Sequence, residues 1–188
     1  MYKDTLQPGF TYHVYNRGNN QENLFKQEQN YNYFLLLWKK HILPIADTFC
    51  YTLLPNHFHF LIETKGAAPS KIISQSFSNC FNAYSKSINK AYHRNGSLFQ
   101  ERFGRKLVET TNYFTEIIFY IHSNAKKHGL TEDFTRYPYS SYQSILSYKP
   151  TLLCRDRVLD FFGGRESFVN FHQTYKDLPA YYLNGLTI

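Results

Sequence analysis

Residues 45–64 constrain the fold of this chain more than any other segment. They contain two stretches, IADTFCYTLL and HFHFLIET, which are rich in β-branched and aromatic residues and are separated only by Pro55 and Asn56. Residues of this kind favour extended strands, and a two-residue polar turn joins antiparallel neighbours. The segment therefore predicts a β-hairpin.

The segments on either side of the hairpin predict one α+β domain. Residue alternation and helical spacing of apolar residues divide them into strands at 10–17 and 104–110, and helices at 27–42, from Ser70 up to the HRNGS segment, and from Asn112 to Gly129. Ser70 and Asn112 are predicted to be N-caps. This order predicts an antiparallel sheet with helices packed on it, formed by residues 1–148. Residues 149–188 are predicted to add a C-terminal helical extension to the same domain.

The distribution of charge indicates a nucleic-acid partner. The formal net charge is +7, and basic proteins commonly bind polyanions. Between Tyr84 and Lys106 aromatic residues are interleaved with basic ones, and the predicted DNA-binding side chains are Lys86, Lys90, Arg94, Arg102, Arg105 and Lys106. Cations for phosphates beside rings for bases are typical of proteins that bind single strands. The alternative interpretation is a solvated helix face whose aromatic residues belong to the core.

Composition excludes two broad classes of protein. Aromatic residues make up 19% of the chain, which is too many for a disordered protein. The longest apolar runs, FLLLW and IIFYI, are too short to cross a bilayer, and the first ten residues lack the apolar core of a signal peptide. The three cysteines have no paired spacing, which predicts reduced thiols. We therefore expect a cytoplasmic protein without a membrane partner.

The second strand of the hairpin carries a pair of histidines. Side chains two apart on a strand point the same way, so His57 and His59 share one face and Phe58 and Phe60 take the other. Two imidazoles on one face can ligate one divalent ion, although most such pairs are ordinary half-buried or surface residues. A metal site needs a third oxygen or nitrogen donor.

The helix after Asn112 offers that donor. At about 100° per residue, Tyr113, Tyr120 and Asn124 fall on one stripe beside the apolar face of the helix. Tyr120 and Asn124 are four residues apart and are neighbours on successive turns. The helix is therefore able to present a phenol and an amide oxygen together. The ordinary interpretation is that these tyrosines border a core.

Several of these segments resemble one known family. YTLLPNHFHFLIET is similar to the HUH motif (His-hydrophobic-His) of single-tyrosine transposases, and FYIHSNAKKHGL resembles the nucleophile helix of REP-associated tyrosine transposases. Further similarity lies in YHVYNRGNNQENLF, GSLFQERFGRKLVE and YPYSSYQSIL. Several motifs in one order are more specific than any single motif. The resemblance spans residues 10–148, and an Ala125 in place of the usual proline after Asn124 departs from it.

The resemblance implies a fold, a metal site and a substrate. The fold would be a ferredoxin-like or RRM-like sheet, the HUH nuclease core, with His57 and His59 on a central strand. These two histidines would bind Mg²⁺ or Mn²⁺ with Asn124 as third ligand, and imidazole ligands also suit zinc. Tyr120 would be the nucleophile. The substrate would be single-stranded DNA with short hairpins, and the protein would be a monomer or a homodimer.

The implied reaction is cleavage and rejoining of DNA. Tyr120 would attack a phosphodiester, giving a 5′-phosphotyrosine and a free 3′-hydroxyl, and another strand's 3′-hydroxyl would reverse the step. A phenol with a pKa of about 10 needs activation. Lys127, two turns along the same stripe, is the candidate cation, or else it serves only as a favourable charge at the helix C-terminus. Tyr113 is the alternative nucleophile.

Three other functions fit parts of the sequence. The first is a non-catalytic RRM-like protein that binds single-stranded nucleic acid by stacking, which leaves the histidines and Tyr120 unexplained. The second is another HUH endonuclease, a replication initiator or a relaxase, which shares the chemistry. The third is a zinc hydrolase, which lacks a carboxylate placed as general base beside the histidines.

Overall fold

A computed structural model describes residues 5–175 of the chain. Within them, four strands form one antiparallel sheet in the order β2-β3-β1-β4, where β1 is Thr11–Arg17, β2 is Ala46–Leu54, β3 is His57–Thr64 and β4 is Gly104–Leu107. The α-helices are α1 Glu28–His41, α2 Ser70–Ala91, α3 Thr111–Lys127, α4 Tyr142–Leu146, α5 Arg155–Phe162 and α6 Arg165–Tyr175. The predicted α+β fold, an antiparallel sheet with helices packed on it, is confirmed.

The sheet is buried on both faces, and β3 shows why. Phe58 and Phe60 point toward α1, where Phe60 stacks on Trp38 with ring centroids 3.6 Å apart and Phe58 lies 5.0 Å from Phe34. The opposite face is covered by α3, which packs across β2 and β3. The predicted alternation of β3 is therefore confirmed, and each face has its own hydrophobic cluster.

The predicted N-caps are wrong by one or two residues. Thr110, not Asn112, precedes α3, and its hydroxyl accepts a hydrogen bond from the backbone N–H of Tyr113 at 3.2 Å. Asn112 already lies inside the helix, where its side chain cannot reach an unsatisfied N–H in this way. Ser70 is likewise the first residue of α2, and Pro69 is the N-cap.

The aromatic residues of the basic segment belong to the core, as the alternative interpretation held. Tyr84, Phe99 and Phe103 are all buried, and the Tyr84 hydroxyl donates a hydrogen bond to the Leu24 carbonyl at 2.7 Å. Tyr92 donates to the side-chain oxygen of Asn30 at 3.0 Å. Because Tyr84, Phe99 and Phe103 are buried in the core cluster, their rings are not exposed for stacking on bases.

The C-terminal helices are joined to α3 by a buried chain of hydrogen bonds. The backbone N–H of Tyr51 donates to the Ser141 hydroxyl at 2.9 Å, and that hydroxyl lies 2.9 Å from Nε2 of His122. Nδ1 of His122 lies 3.0 Å from Nε2 of His172, whose Nδ1 lies 2.8 Å from the Phe168 carbonyl. If every group donates in the direction from Tyr51 to Phe168, each donor and acceptor in this series of hydrogen bonds has a partner. Residues 149–175 thus pack on α3, and residues 176–188 of the predicted extension lie outside the described residues.

We expect this chain of hydrogen bonds to stabilise the fold. Replacing His122 by leucine leaves Ser141 and His172 buried without their partner, which costs about 1–3 kcal/mol. Urea unfolding of His122→Leu at pH 8 measures this loss. His93→Asn is the control, because residue 93 is exposed and has a positive φ that asparagine tolerates. A decrease in the free energy of unfolding of less than about 0.5 kcal/mol in His122→Leu is the size expected for a surface substitution. Such a result would contradict a stabilising role for these buried hydrogen bonds.

Candidate active site

The two histidines of β3 lie between the sheet and α3. β3 is a central strand, as the resemblance implied, because β2 and β1 pair with it on either side. His57 is 8% exposed and His59 is fully buried. Their ring centroids are 5.3 Å apart, so both imidazoles border the same small volume.

Each histidine has its Nδ1 engaged by a neighbour. Nδ1 of His57 lies 2.7 Å from the side-chain oxygen of Asn56, and Nδ1 of His59 lies 2.9 Å from Nε2 of His13. A neutral imidazole whose Nδ1 carries the proton presents a lone pair at Nε2. Nε2 of His59 is buried and has no hydrogen-bond partner within residues 5–175. A buried polar atom without a partner is rare and indicates a missing ligand or water.

Asn124 supplies a second such atom. Its side chain is fully buried, and its amide nitrogen donates to the Tyr120 carbonyl at 2.8 Å, which turns Oδ1 away from that carbonyl. Oδ1 has no hydrogen-bond partner in the described part of the chain. Burial lowers the pKa of His57 and raises the pKa of Tyr120, and the nearby Asn124 side chain opposes both shifts. It therefore lies between the histidines and the phenol.

These donors fit a divalent cation. No group of three or more His, Cys, Asp or Glu side chains is arranged for a metal ion among the described residues. A site therefore needs the amide oxygen of Asn124 besides the imidazoles. Imidazole nitrogens and an amide oxygen form a mixed set of nitrogen and oxygen ligands. Mn²⁺ prefers such a set to soft sulfur ligands. Burial also keeps both histidines neutral, since it lowers the pKa of His57 to about 3 and that of His59 well below 6.5.

Tyr120 lies beside the histidine pair. Its ring is edge-on to His59 with centroids 5.5 Å apart, and Nζ of Lys127 lies 5.1 Å from the Tyr120 centroid. The predicted placement of Lys127 on the stripe of Tyr120 is thus confirmed as geometry. Burial raises the pKa of Tyr120, and the Asn124 side chain opposes that shift. Only 2% of Tyr120 is exposed, so the free phenol is protonated and covered at neutral pH.

Tyr113 lies on the same side of α3, about two helical turns before Tyr120. Nζ of Lys106 lies 5.1 Å from its ring centroid, and its hydroxyl is buried without a hydrogen-bond partner among residues 5–175. The predicted stripe therefore holds. Tyr120 is the tyrosine that packs on His59, whereas Tyr113 packs beneath Lys106.

Four residues of this site were not predicted from the sequence. His13, Tyr15 and Arg17 alternate along β1, and antiparallel pairing puts them on the face of His57 and His59. The ring of His128 lies 4.6 Å from that of His57. The signal for the three β1 residues was the alternation of YHVYNR, which becomes informative only when the pairing of β1 with β3 is known.

Tyr15 also explains a glycine in β4. Gly104 is paired with Tyr15, and a Cβ at position 104 would lie 1.9 Å from the Tyr15 ring. The ring therefore occupies the space that any larger residue would need. The Tyr15 ring thus lies over the backbone of β4, the strand that pairs with β1 at the edge of the sheet.

The predicted DNA-binding side chains do not lie on one surface. Lys106 lies on the α3 face of β4, whereas Arg105 points to the other face and contacts Phe103 with its guanidinium 5.0 Å from the ring. Arg105 and Arg102 line a groove of about 890 Å³ beside α2. Arg94 forms an ion pair with Glu22 and is largely buried. Two predicted side chains, Lys86 and Lys90, are exposed on α2.

Comparisons with known proteins find similarity to solved structures but not to known sequences. No family model and no curated protein sequence matches this chain. A solved structure of a REP-associated tyrosine transposase bound to a REP hairpin has the same kind of fold, with a TM-score of 0.60 over 80% of this chain and 87% of that chain. The two sequences are 18% identical. This likeness establishes the fold, a four-stranded antiparallel sheet with helices packed on it.

The lengths and apolar content of the described helices decide whether they could span a membrane. None of those within residues 5–175 is long and apolar enough to cross a bilayer.

The buried histidines predict a loss of stability in acid. Burial lowers the pKa of His172 to about 4 and that of His13 to about 3. Below the unfolded value of about 6.5 the unfolded chain binds protons that the folded chain does not. The free energy of unfolding is therefore highest above about pH 7 and falls by up to about 1.4 kcal/mol per pH unit for each such histidine, down to about pH 4.

Urea unfolding between pH 8 and pH 4.5 in the presence of a chelator measures this slope. His172→Gln removes one titrating group, so its slope between pH 6 and pH 4.5 should be smaller than that of the wild type by about one proton. A free energy of unfolding that does not change between pH 7 and pH 5 would contradict the neutral, buried state of these imidazoles.

Proposed function

We propose that this protein cleaves and rejoins single-stranded DNA through a covalent bond between DNA and Tyr120, as a metal-dependent HUH transposase. The observation that carries the proposal is the juxtaposition of Tyr120 with His59 and Asn124, whose Nε2 and Oδ1 are buried without partners. The fold shared with the REP-associated tyrosine transposase supports the same assignment. That neighbour is bound to a REP hairpin, and we propose hairpin-containing DNA as the substrate here.

The metal would be held by Nε2 of His57, Nε2 of His59 and Oδ1 of Asn124. When bound, Mg²⁺ or Mn²⁺ supplies Lewis acidity at a phosphodiester oxygen. The Nδ1 contacts of the two histidines orient both rings for this task, as is usual for metal ligands.

Tyr120 would act as the nucleophile. Its phenolic oxygen forms a bond to phosphorus while the bond from phosphorus to the 3′ oxygen breaks, so that a 5′-phosphotyrosine and a 3′-hydroxyl result. The phenol loses one proton and the leaving 3′ oxygen gains one, so the step is balanced. Lys127, whose ammonium lies over the Tyr120 ring, favours the phenolate in this step because opposite charges attract. Since Tyr120 lies beside the histidines of its own chain, the geometry supports cleavage in cis, whether the protein is a monomer or a homodimer.

DNA must uncover Tyr120 before it reacts. The side chain is 2% exposed, whereas Lys127 and His128 are exposed at the end of α3. A phosphate that approaches the site would meet these side chains and Arg17 first. Movement of Lys127 from the ring toward the phosphate would then open the phenol.

A base-stacking RRM-like protein is a poorer fit to the structure. Such proteins read single strands on an exposed sheet face carrying aromatic side chains. Here α3 covers one face and the core aromatic residues cover the other. We therefore retain single-stranded DNA as the partner and assign its contacts to charged side chains.

The proposed DNA contacts are the exposed or groove-lining basic residues. They comprise Arg102 and Arg105 in the groove, Lys86 and Lys90 on α2, and Lys106 beside Tyr113. We leave Arg94 out of this set because Glu22 already pairs with its guanidinium.

Replacing both groove arginines by glutamine should weaken DNA binding and its dependence on salt. Each phosphate contact on a single strand contributes about 0.7 to the slope of log K against log salt. The double variant Arg102→Gln, Arg105→Gln should therefore lower that slope by about 1.4 in fluorescence-anisotropy titrations with a hairpin oligonucleotide. Lys39→Gln, Lys40→Gln on α1 removes the same charge and is the control. Equal slopes for the two double variants would contradict a groove-specific contact.

A covalent-adduct assay tests the proposed chemistry. The protein is incubated with Mn²⁺ or Mg²⁺ and 3′-labelled hairpin oligonucleotides taken from DNA that flanks its gene, and the products are separated on a denaturing gel. The 3′ label stays with the protein because the tyrosine would hold the 5′ phosphate. We expect a metal-dependent adduct in the wild type and in Tyr113→Phe, and none in Tyr120→Phe or His57→Ala. A second oligonucleotide with a free 3′-hydroxyl should release the label as a longer strand.

The matched tyrosine variants decide between the nucleophiles. Loss of the adduct in Tyr113→Phe alone would assign the reaction to Tyr113. Tight binding without any adduct would contradict the proposed enzyme and favour a binding protein. Cleavage without transfer to the second strand would favour an HUH endonuclease of the initiator or relaxase type.

A further inference from the structure

We propose that His13 is a positioning residue, which holds His59 in the tautomer and orientation that the metal site needs. This inference rests on the proposed function, since it concerns the metal ligand His59. The observation behind it is the contact between Nε2 of His13 and Nδ1 of His59, at 2.9 Å. Both side chains are buried, with His13 1% exposed.

The contact with His13 fixes the orientation of the His59 ring. The two ring planes are within 18° of each other and the centroids are 5.1 Å apart, so the rings meet edge to edge and His59 cannot turn without breaking this contact. Nε2 of His59 has no partner within residues 5–175. His13 therefore holds Nδ1 of His59 and leaves Nε2 as the nitrogen that would bind the metal.

The direction of the hydrogen bond follows from the ligand role. A metal-binding nitrogen must be unprotonated, and a neutral imidazole carries its only proton on the other nitrogen. His59 must therefore donate from Nδ1, and Nε2 of His13 must accept. His13 then carries its own proton on Nδ1. Outer partners of this kind fix the tautomer and the ring orientation of metal-bound histidines.

The two histidines of the pair are held by different partners. His57 is held by Asn56, its neighbour in the hairpin turn. His59 is held from the adjacent strand, where β1 pairs with β3 in antiparallel register. His13 also lies against Tyr120, with ring centroids 5.9 Å apart and the planes nearly perpendicular. One side chain thus supports a ligand and packs on the proposed nucleophile.

Packing alone does not account for a histidine at this position. A wholly buried site next to the apolar cluster of α3 would accept a leucine or phenylalanine of similar volume without a polar group to satisfy. His13 instead places an acceptor where the ligand histidine has its donor. A filler role and a positioning role therefore predict different results for polar and apolar replacements.

Mn²⁺ binding separates the two roles. His13→Gln keeps an acceptor near the position of Nε2, whereas His13→Leu removes it. In isothermal titration with MnCl₂, without DNA, we expect the Kd of His13→Leu to rise about 10–100-fold, as is typical when an outer partner of a ligand is lost. His13→Gln should stay within a few-fold of the wild type. His93→Asn, an exposed histidine replacement, should bind as the wild type does.

A second variant keeps the test decisive if His13→Leu does not fold. His13→Asn is polar but one methylene shorter than glutamine, so its amide does not reach His59, and it should lose affinity as His13→Leu does. Wild-type Mn²⁺ affinity in both His13→Leu and His13→Asn would overturn the positioning role. If His13→Leu fails to fold, by circular dichroism in a chelator, the comparison of glutamine with asparagine decides in the same way.

The proton itself gives a readout that does not depend on the metal. In long-range ¹H–¹⁵N spectra of the metal-free protein, His59 should carry its proton on Nδ1 and His13 should be unprotonated at Nε2. The opposite tautomers would overturn the proposal even if the affinities agree. Absence of Mn²⁺ binding in the wild type would overturn the proposed metal site together with this role, whereas normal binding with unchanged His13 variants would overturn only the role of His13.

Discussion

The alternation of side chains along β3 is the constraint on which the rest of the structure depends. Because successive residues point to opposite faces, Phe58 and Phe60 enter the core with α1 while His57 and His59 face α3. Burying each aromatic ring is worth about 1.5–3 kcal/mol. A shift of one residue would exchange the two faces. Packing of the apolar face of β3 in the core therefore determines which face His57 and His59 occupy.

Helix α3 contributes both Tyr120 and Asn124 to the candidate site. A spacing of four residues places Tyr120 and Asn124 on successive turns, and the buried residues Ile117 and Ile118 press the helix onto the sheet. His122, on another side of α3, ties it to α6 and to the loop before α4. The phenol and the amide thus have a rigid support behind them, which a site for positioned chemistry requires.

Local sequence patterns predicted the strands and helices. Contacts between residues far apart in the chain determined the features that these patterns could not predict. The hairpin, the shared face of the histidines and the stripe of α3 all follow from periods of two or 3.6 residues, which neighbouring residues determine. His13 was missed because its role needs the register of β1 on β3, which joins residues far apart in the chain. The interleaved aromatic residues near Tyr84 could not be divided between core and surface from spacing alone. Roles of the metal ligands and of the nucleophile stay predictions.

The burial of Tyr120 is easier to reconcile with strand transfer than with hydrolysis. A covered phenol of raised pKa is unreactive in the free protein, so cleavage would wait for DNA to displace Lys127. The bound DNA would then take the place of that cover and keep water from the phosphotyrosine, because a closed site excludes competing nucleophiles. A 3′-hydroxyl held by the DNA contacts would reach the phosphorus where free water would not. The proposed rejoining would therefore use a tyrosine that is buried in the free protein beside an exposed cationic helix end, and α3 carries both in Tyr120 and Lys127.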